Sequence, residues 1–302
     1  IEGIEPPKPV LLPTLLLKDG QGNLKATTDT TPIIKRFENE YPDRKLLPED
    51  PALSFINYLL EDFGDEWVTK YMFHYRWYFE EDANNASTIL PLSDLATDMD
   101  DGTLKEVKKM IHDRQHGRLW VVGSNDTTAK LIDSSYRRFV KLMDDHLSVS
   151  RFLFGEKPSS ADFAIYGQLT QLIGFDPTSR RIASENSLRL VSWVDVMADL
   201  SGHDVNNSNW TSLEDSPPSL KEIMKEFGQM YVPALLANAK AIMEGDETWE
   251  TEIDGSTWKQ KAFPYQAKCL KWIKEEFNTL SKNDKTRIKT FLEGTGCEAI
   301  LD

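Results

Sequence analysis

The stretch LLPTLLLKDGQGNLKATTDTTPIIKRF, residues 11–37, decides how the front of this chain folds. VLLPTLLLK (10–18) and NLKATT (23–28) read as two strands, and Asp19-Gly20-Gln21-Gly22 between them is a hairpin signal. A helix follows, because Ile33, Ile34 and Phe37 recur at helical spacing from Thr30 to Glu40 and Pro42 ends the run. Pro13 is the odd residue. It stands against Leu15, Leu16 and Leu17, and a proline has no N–H for a sheet ladder. Two readings are open: a trans proline at a strand start or edge, or a cis Leu12–Pro13 bond. The cis form would turn the Leu12 N–H and C=O outward, to pair with an extended peptide as a strand would.

Beyond the Pro-punctuated connection PDRKLLPEDP (42–51) the character changes. From Ala52 onward almost every periodic segment has helical spacing, and no clear strand pair is visible. Helices are predicted over 52–80, 103–117, 126–149, 160–174, 187–199, 218–243, 257–279 and 284–293. No internal repeat is found. A hairpin with one helix cannot bury a proper core, so either other helices cover it or further strands precede Ile1.

The totals narrow the function. At roughly 100–200 residues per domain, 302 residues make about two domains. Lys and Arg number 35 and Asp and Glu 49, a net charge of −14, so the averaged field repels nucleic acid and anionic membranes. Val10 to Leu17, the longest near-apolar run, is far below the roughly 20 residues that span a bilayer. Two isolated cysteines, Cys269 and Cys297, suit a reducing compartment, and a cytoplasmic location is expected. The Asn-x-Ser/Thr triplets at Asn85, Asn125, Asn206 and Asn209 would then carry no glycan.

Three stretches in order give the chain a family likeness. LLPTLLLKDG (11–20) is similar to the V-P-x-L strand of the glutathione S-transferase superfamily, whose proline is cis. DTTPIIKRFENEYP (29–42) is similar to the helix start of that family's glutathione site, and FLFGEKPSSADFAIYGQL (152–169) to its helical-domain signature. GDEWVTKYMFHYRWYF (64–79) and KAFPYQAKCLKWI (261–273) resemble a bacterial-type subgroup with an extended C-terminal region.

The resemblance implies an α+β, mostly α chain in three parts. A partial thioredoxin-like, glutathione-binding unit spans 1–46, an all-helical transferase domain 52–200, and a helical extension packed on it 201–302. It also implies cis Pro13, Leu12 pairing with the cysteinyl backbone of glutathione, Thr30 holding the γ-glutamyl carboxylate and Asp29 facing the α-ammonium. A helix N-terminus is a natural carboxylate site, although Asp29 or Thr30 as a plain N-cap uses the same groups. The family's catalytic Tyr, Ser or Cys lies before the hairpin. IEGIEPPKPV contains none of the three, so the catalytic residue is unassigned and the first β-α-β part is expected upstream of this chain.

Trp67, Tyr71, His74, Tyr75 and Tyr78 share one helical face. By likeness that helix lines the electrophile pocket, making Tyr71, His74, Tyr75 and Tyr78 hydrophobic-site candidates, with His74 or a tyrosine able to donate a proton. The other reading of the stripe is core or dimer packing. Arg76, off the stripe, is expected to be salt-bridged or solvated. Ser159-Ser160-Ala161-Asp162 is a capping box and structural. His112 and His116 are spaced i, i+4 without a third ligand, and DMDDG (98–102) reads as a loop that lacks calcium-loop spacing, so no metal is expected. The reading is a glutathione transferase-like protein, homodimeric by likeness, that uses glutathione as co-substrate on a small apolar electrophile. The alternatives are a non-catalytic binding or assembly protein on the same fold, or a glutathione-dependent lyase or reductase.

Overall fold

The computed structural model describes residues 3–7, 12–204 and 209–301. The hairpin forms where the turn signal puts it: β1 (Thr14–Lys18) pairs antiparallel with β2 (Leu24–Thr28), Thr14 opposite Thr28 and Lys18 opposite Leu24. The Asp19 carboxylate locks the turn by accepting from the Gln21 and Asn23 backbone N–H groups, both at 2.9 Å. Helix α1 (Thr30–Glu40) follows, with Ile33 its one buried residue. Leu15, Leu16 and Leu17 are only half-buried and Leu24 is exposed, as expected where a sheet of two strands has no full layer against it.

The rest is predominantly helical: α2 (Pro51–Phe63), α3 (Thr69–Tyr78), α4 (Glu80–Asp94), α5 (Asp101–His116), α6 (Ala129–Leu147), α7 (Ser160–Leu172), α8 (Pro177–Asn186) and α9 (Leu188–Ala198), then α10 (Pro218–Glu226) and α11 (Val232–Glu244). Last come β3 (Thr248–Ile253), β4 (Ser256–Lys261), α12 (Pro264–Thr279) and α13 (Lys282–Leu292). Two wide π turns, Gly64–Val68 and Phe227–Tyr231, join α2 to α3 and α10 to α11.

The structure corrects three expectations. The segment after Ala52 does hold a strand pair, β3 and β4, so the helix expected from 257 begins only at Pro264. TWETEIDGSTWKQK carries the signal: Asp254-Gly255 is a two-residue hairpin turn, and both residues adopt positive φ, 50° and 68°. Alternation buries Trp249, Ile253, Trp258 and Gln260 on one face. Helices α4 and α8 were not foreseen either. In α4 the inward positions are Asp82, Ala83, Ala86 and Ser87, too small and polar to make an apolar period. Finally, DMDDG is partly helical: Asp100 caps α5 by accepting from the Thr103 N–H at 3.0 Å.

One continuous core joins residues from α2 through the chain's last turn. At its centre the two π turns meet: Phe63 lies 5.4 Å from Phe227, and Trp67 lies 5.9 Å from Tyr231 and 5.3 Å from Trp258, ring to ring. Arg76 is salt-bridged, not solvated: its guanidinium grips Asp176 at 2.9 and 3.0 Å and Gln171 at 2.8 Å, in a buried site.

The capping box is present, and Asp162 does more than the box requires. It accepts from the Ser159 N–H and hydroxyl, both at 2.8 Å, and from the Leu153 N–H at 2.9 Å. All three donors are buried, and an unpaired buried donor costs about 1–3 kcal/mol. Asp162→Ala is therefore expected to lower stability by about 2–3 kcal/mol in urea unfolding. A loss below about 0.5 kcal/mol would contradict this account.

Candidate functional site

The open end of the first hairpin gathers the residues expected to hold a peptide. The Leu12–Pro13 bond is cis. Leu12 is 92% exposed, and the Thr28 hydroxyl donates to the Pro13 carbonyl at 3.3 Å. Thr14 opposite Thr28 is the last pair of the ladder, so Pro13 and Asp29 are the residues at which the two strands leave it.

Asp29 holds the N-cap position, but its side chain makes no capping hydrogen bond. Its backbone is in the left-handed half of φ/ψ space, φ 79° and ψ 128°, which a residue with a Cβ adopts only when its surroundings impose it. The plain N-cap reading thus lacks its hydrogen bond. The carboxylate carries no hydrogen bond or ion pair among the described residues, and it lines a cavity. Thr30 is exposed at the helix start, while Thr31 turns inward and donates its hydroxyl to Glu61 at 2.6 Å.

That cavity, about 400 Å³, lies between α1, α2 and α12. Its inner wall is the acidic segment Glu61, Asp62, Asp65 and Glu66, where α2 runs into the first π turn. Tyr58, Tyr265 and Trp272 supply aromatic walls. Burial is the main reason these acids are hard to ionise. It pushes the Asp65 carboxyl up to about 7, helped by the charges of Glu61, Glu66 and Asp29. Asp62 is raised well above the usual carboxylate range by burial and by Glu66, although Tyr231 donates to it at 2.8 Å. Glu66 is raised by burial as well, opposed by the Lys70 charge and a 3.2 Å hydrogen bond from Gln266. Lys70 is itself buried, 5.6 Å from the Trp67 ring, and burial brings its ammonium down to about 8. Burial also pushes the Cys269 thiol on the cavity wall up, and the Asp62 and Glu66 charges add to that; this is the opposite of an activated nucleophile.

The four hydrophobic-site candidates lie elsewhere. Tyr71, His74 and Tyr75 are wholly buried, and none of the four lines this cavity. Tyr71 and Ser135 share a 2.6 Å hydrogen bond, Tyr75 donates to Asp133 at 2.6 Å, and Tyr78 donates to Asp126 at 2.9 Å while stacking on His74. His74 Nδ1 pairs with Ser124 at 2.7 Å, and burial brings its imidazole down to about 4, so it is neutral at physiological pH. These contacts are those of the packing reading. His112 and His116 stack face to face, and His116 Nδ1 reaches the Trp77 carbonyl at 3.1 Å; among the described residues no three metal-binding side chains converge. No helix of the described residues is long and apolar enough to cross a membrane.

Apart from Asp29, the cavity residues were not foreseen from the sequence. One signal was available: LEDFGDEW places four acids in six residues inside an otherwise apolar helix, a cost that a structural helix has no reason to bear. Compared with protein-family models, curated proteins and solved structures, the chain matches none of them.

Proposed function

We propose that the hairpin edge and the start of α1 bind a thiol tripeptide of the glutathione type, as part of a glutathione transferase-like protein acting on a small apolar electrophile. The observation that carries this reading is the junction at Asp29. An exposed Leu12, an uncapped carboxylate on a strained residue and the N-terminus of α1 all follow from the open end of one hairpin. A peptide ligand needs all three: an edge for its backbone, an anion for its ammonium and N–H donors for its carboxylate. In the transfer step the thiol loses its proton to solvent, a sulfur lone pair forms a bond to the electrophilic carbon, and the leaving group departs with the bonding electrons.

The acidity of the neighbouring cavity favours a second reading on the same fold, binding without turnover. Nearby carboxylates disfavour a second negative charge, so they raise the pKa of any thiol brought among them.

Calorimetric titration of the 302-residue chain with glutathione tests the reading. Saturable binding is expected, weakened about tenfold or more in Asp29→Ala, which removes the carboxylate proposed to answer the peptide's ammonium. No binding, or binding unchanged in Asp29→Ala and Thr30→Ala, would overturn it. Turnover of an activated aryl chloride with bound glutathione, measured on the chain extended by the upstream segment that the resemblance implies, separates the transferase from the silent binder.

A further inference from the structure

The cavity between α1, α2 and α12 has the volume of a small-molecule site, about 400 Å³. Its charge is lopsided. Among the described residues Lys35 is the sole basic one in the lining, and it is already paired with Glu276 at the mouth. Glu275, also at the mouth, lies 3.6 Å from Lys271. Deeper in, Glu61 is satisfied by the hydroxyls of Thr31 and Ser160, at 2.6 and 2.5 Å. Glu66 has Gln266 and the buried Lys70 behind it.

Asp29, Asp62 and Asp65 are left without a counter-ion among the described residues. Asp62 accepts from the neutral Tyr231 hydroxyl, and Asp29 and Asp65 carry no hydrogen bond or ion pair there. Carboxylates held in a partly dry site with no cation are expensive, and a protein gains by admitting a ligand that answers them. The remaining wall shows what sort of cation fits. Tyr58 flanks the acids, and Tyr265 and Trp272, 6.0 Å apart at a right-angled edge contact, stand partly exposed at the mouth. Aromatic faces attract organic ammonium ions and give a bare metal ion no oxygen ligand.

We propose that this cavity binds an organic ammonium ion with an aromatic or alkyl group, its charge answered by Asp65 and its apolar part held by Tyr265 and Trp272. The site stands whether or not the tripeptide reading holds.

Protonation tunes the site. Asp65 faces Glu61 and Asp62 from α2, Glu66 from its own turn, Asp29 and Lys35 from α1, and Tyr265, Cys269, Glu275 and Glu276 from α12. Burial and the nearby acids keep it protonated until about pH 7, so cation affinity rises with pH across neutrality.

The test uses the 302-residue chain without glutathione and three probes of one shape: phenethylamine, phenethyl alcohol and phenylpropionate. At about pH 8, followed by calorimetry and tryptophan fluorescence, the amine is expected to bind about tenfold or more tighter than the alcohol, and the acid not at all. Asp65→Asn should weaken the amine about tenfold and leave the alcohol unchanged, while Trp272→Ala weakens both. Lowering the pH to about 5.5 should weaken the amine about tenfold in the native chain and hardly at all in Asp65→Asn. Equal affinity for amine and alcohol, no amine binding at millimolar concentration, or an Asp65→Asn chain as avid as the parent would each overturn the proposal. Retained glutathione binding in Asp65→Asn would show that the two sites fail separately.

Discussion

Replacing Asp65 by asparagine should make the chain more stable at about pH 8 and leave it nearly unchanged at about pH 4. The carboxyl is lifted from its ordinary 3.8 to about 7 in the folded chain, chiefly by burial. At 1.36 kcal/mol per tenfold change in acidity, this amounts to up to about 4 kcal/mol. The direction follows from proton linkage. Below about pH 4 both folded and unfolded chains hold the proton, and the aspartate costs nothing. As pH rises toward 7 the unfolded chain releases it first, so the native state loses stability. Above 7 both forms are ionised and the full cost is in place. Asparagine keeps the shape and removes the charge. Urea unfolding at the two pH values checks this: a gain of the same size at both, or a loss at about pH 8, would show that the carboxylate is answered by something other than solvent. The same substitution is expected to weaken amine binding, a trade of function for stability.

Gly228→Ala should be among the most damaging single substitutions available. Gly228 lies in the second π turn, where the turn Thr295–Cys297 passes directly over its Cα. An added Cβ would sit 2.0 Å from the Thr295 carbonyl oxygen and 3.0 Å from the Cys297 backbone nitrogen. Both are backbone atoms, so no side-chain rotation relieves the clash, and the segment must lift off the core. We expect a loss of about 4 kcal/mol or more, or failure to fold. Gly167→Ala is the control. It lies inside α7 with nothing within 4 Å of the place an added methyl group would take, and should gain about 0.5–1 kcal/mol from helix propensity. If the two variants melted within a few degrees of each other, the tight crossing at Gly228 would not exist in solution.

The first hairpin, α1 and most long helices were legible because their signals are local: a turn quartet, an apolar period, a capping box. The β3–β4 hairpin had an equally local signal at Asp254-Gly255, but its strands carry threonines, lysines and glutamates on the outer face, and the helical period of α12 was extended back over β4 to 257. The aromatic stripe of α3 was legible as a stripe, but not as to what covers it. Ser124, Ser135 and Asp133, which receive its polar tips, come from elsewhere in the chain. The cavity was hidden for the same reason. Asp29, Asp65 and Trp272 lie far apart in sequence, and only the packing of α12 across α1 and α2 brings them to one space.

The wide turn at Gly64–Val68 has a geometric effect of its own. One surplus residue per turn advances the side-chain phase by about 100°, much as a skipped tooth resets a gear. The turn itself sets Asp65 and Glu66 on the cavity wall, and downstream of it the rod shows tyrosines to the dry interior. A single rod can therefore serve a wet face and a sealed one, and deleting one residue from this turn would swing the tyrosines out of register with the partners that now receive them.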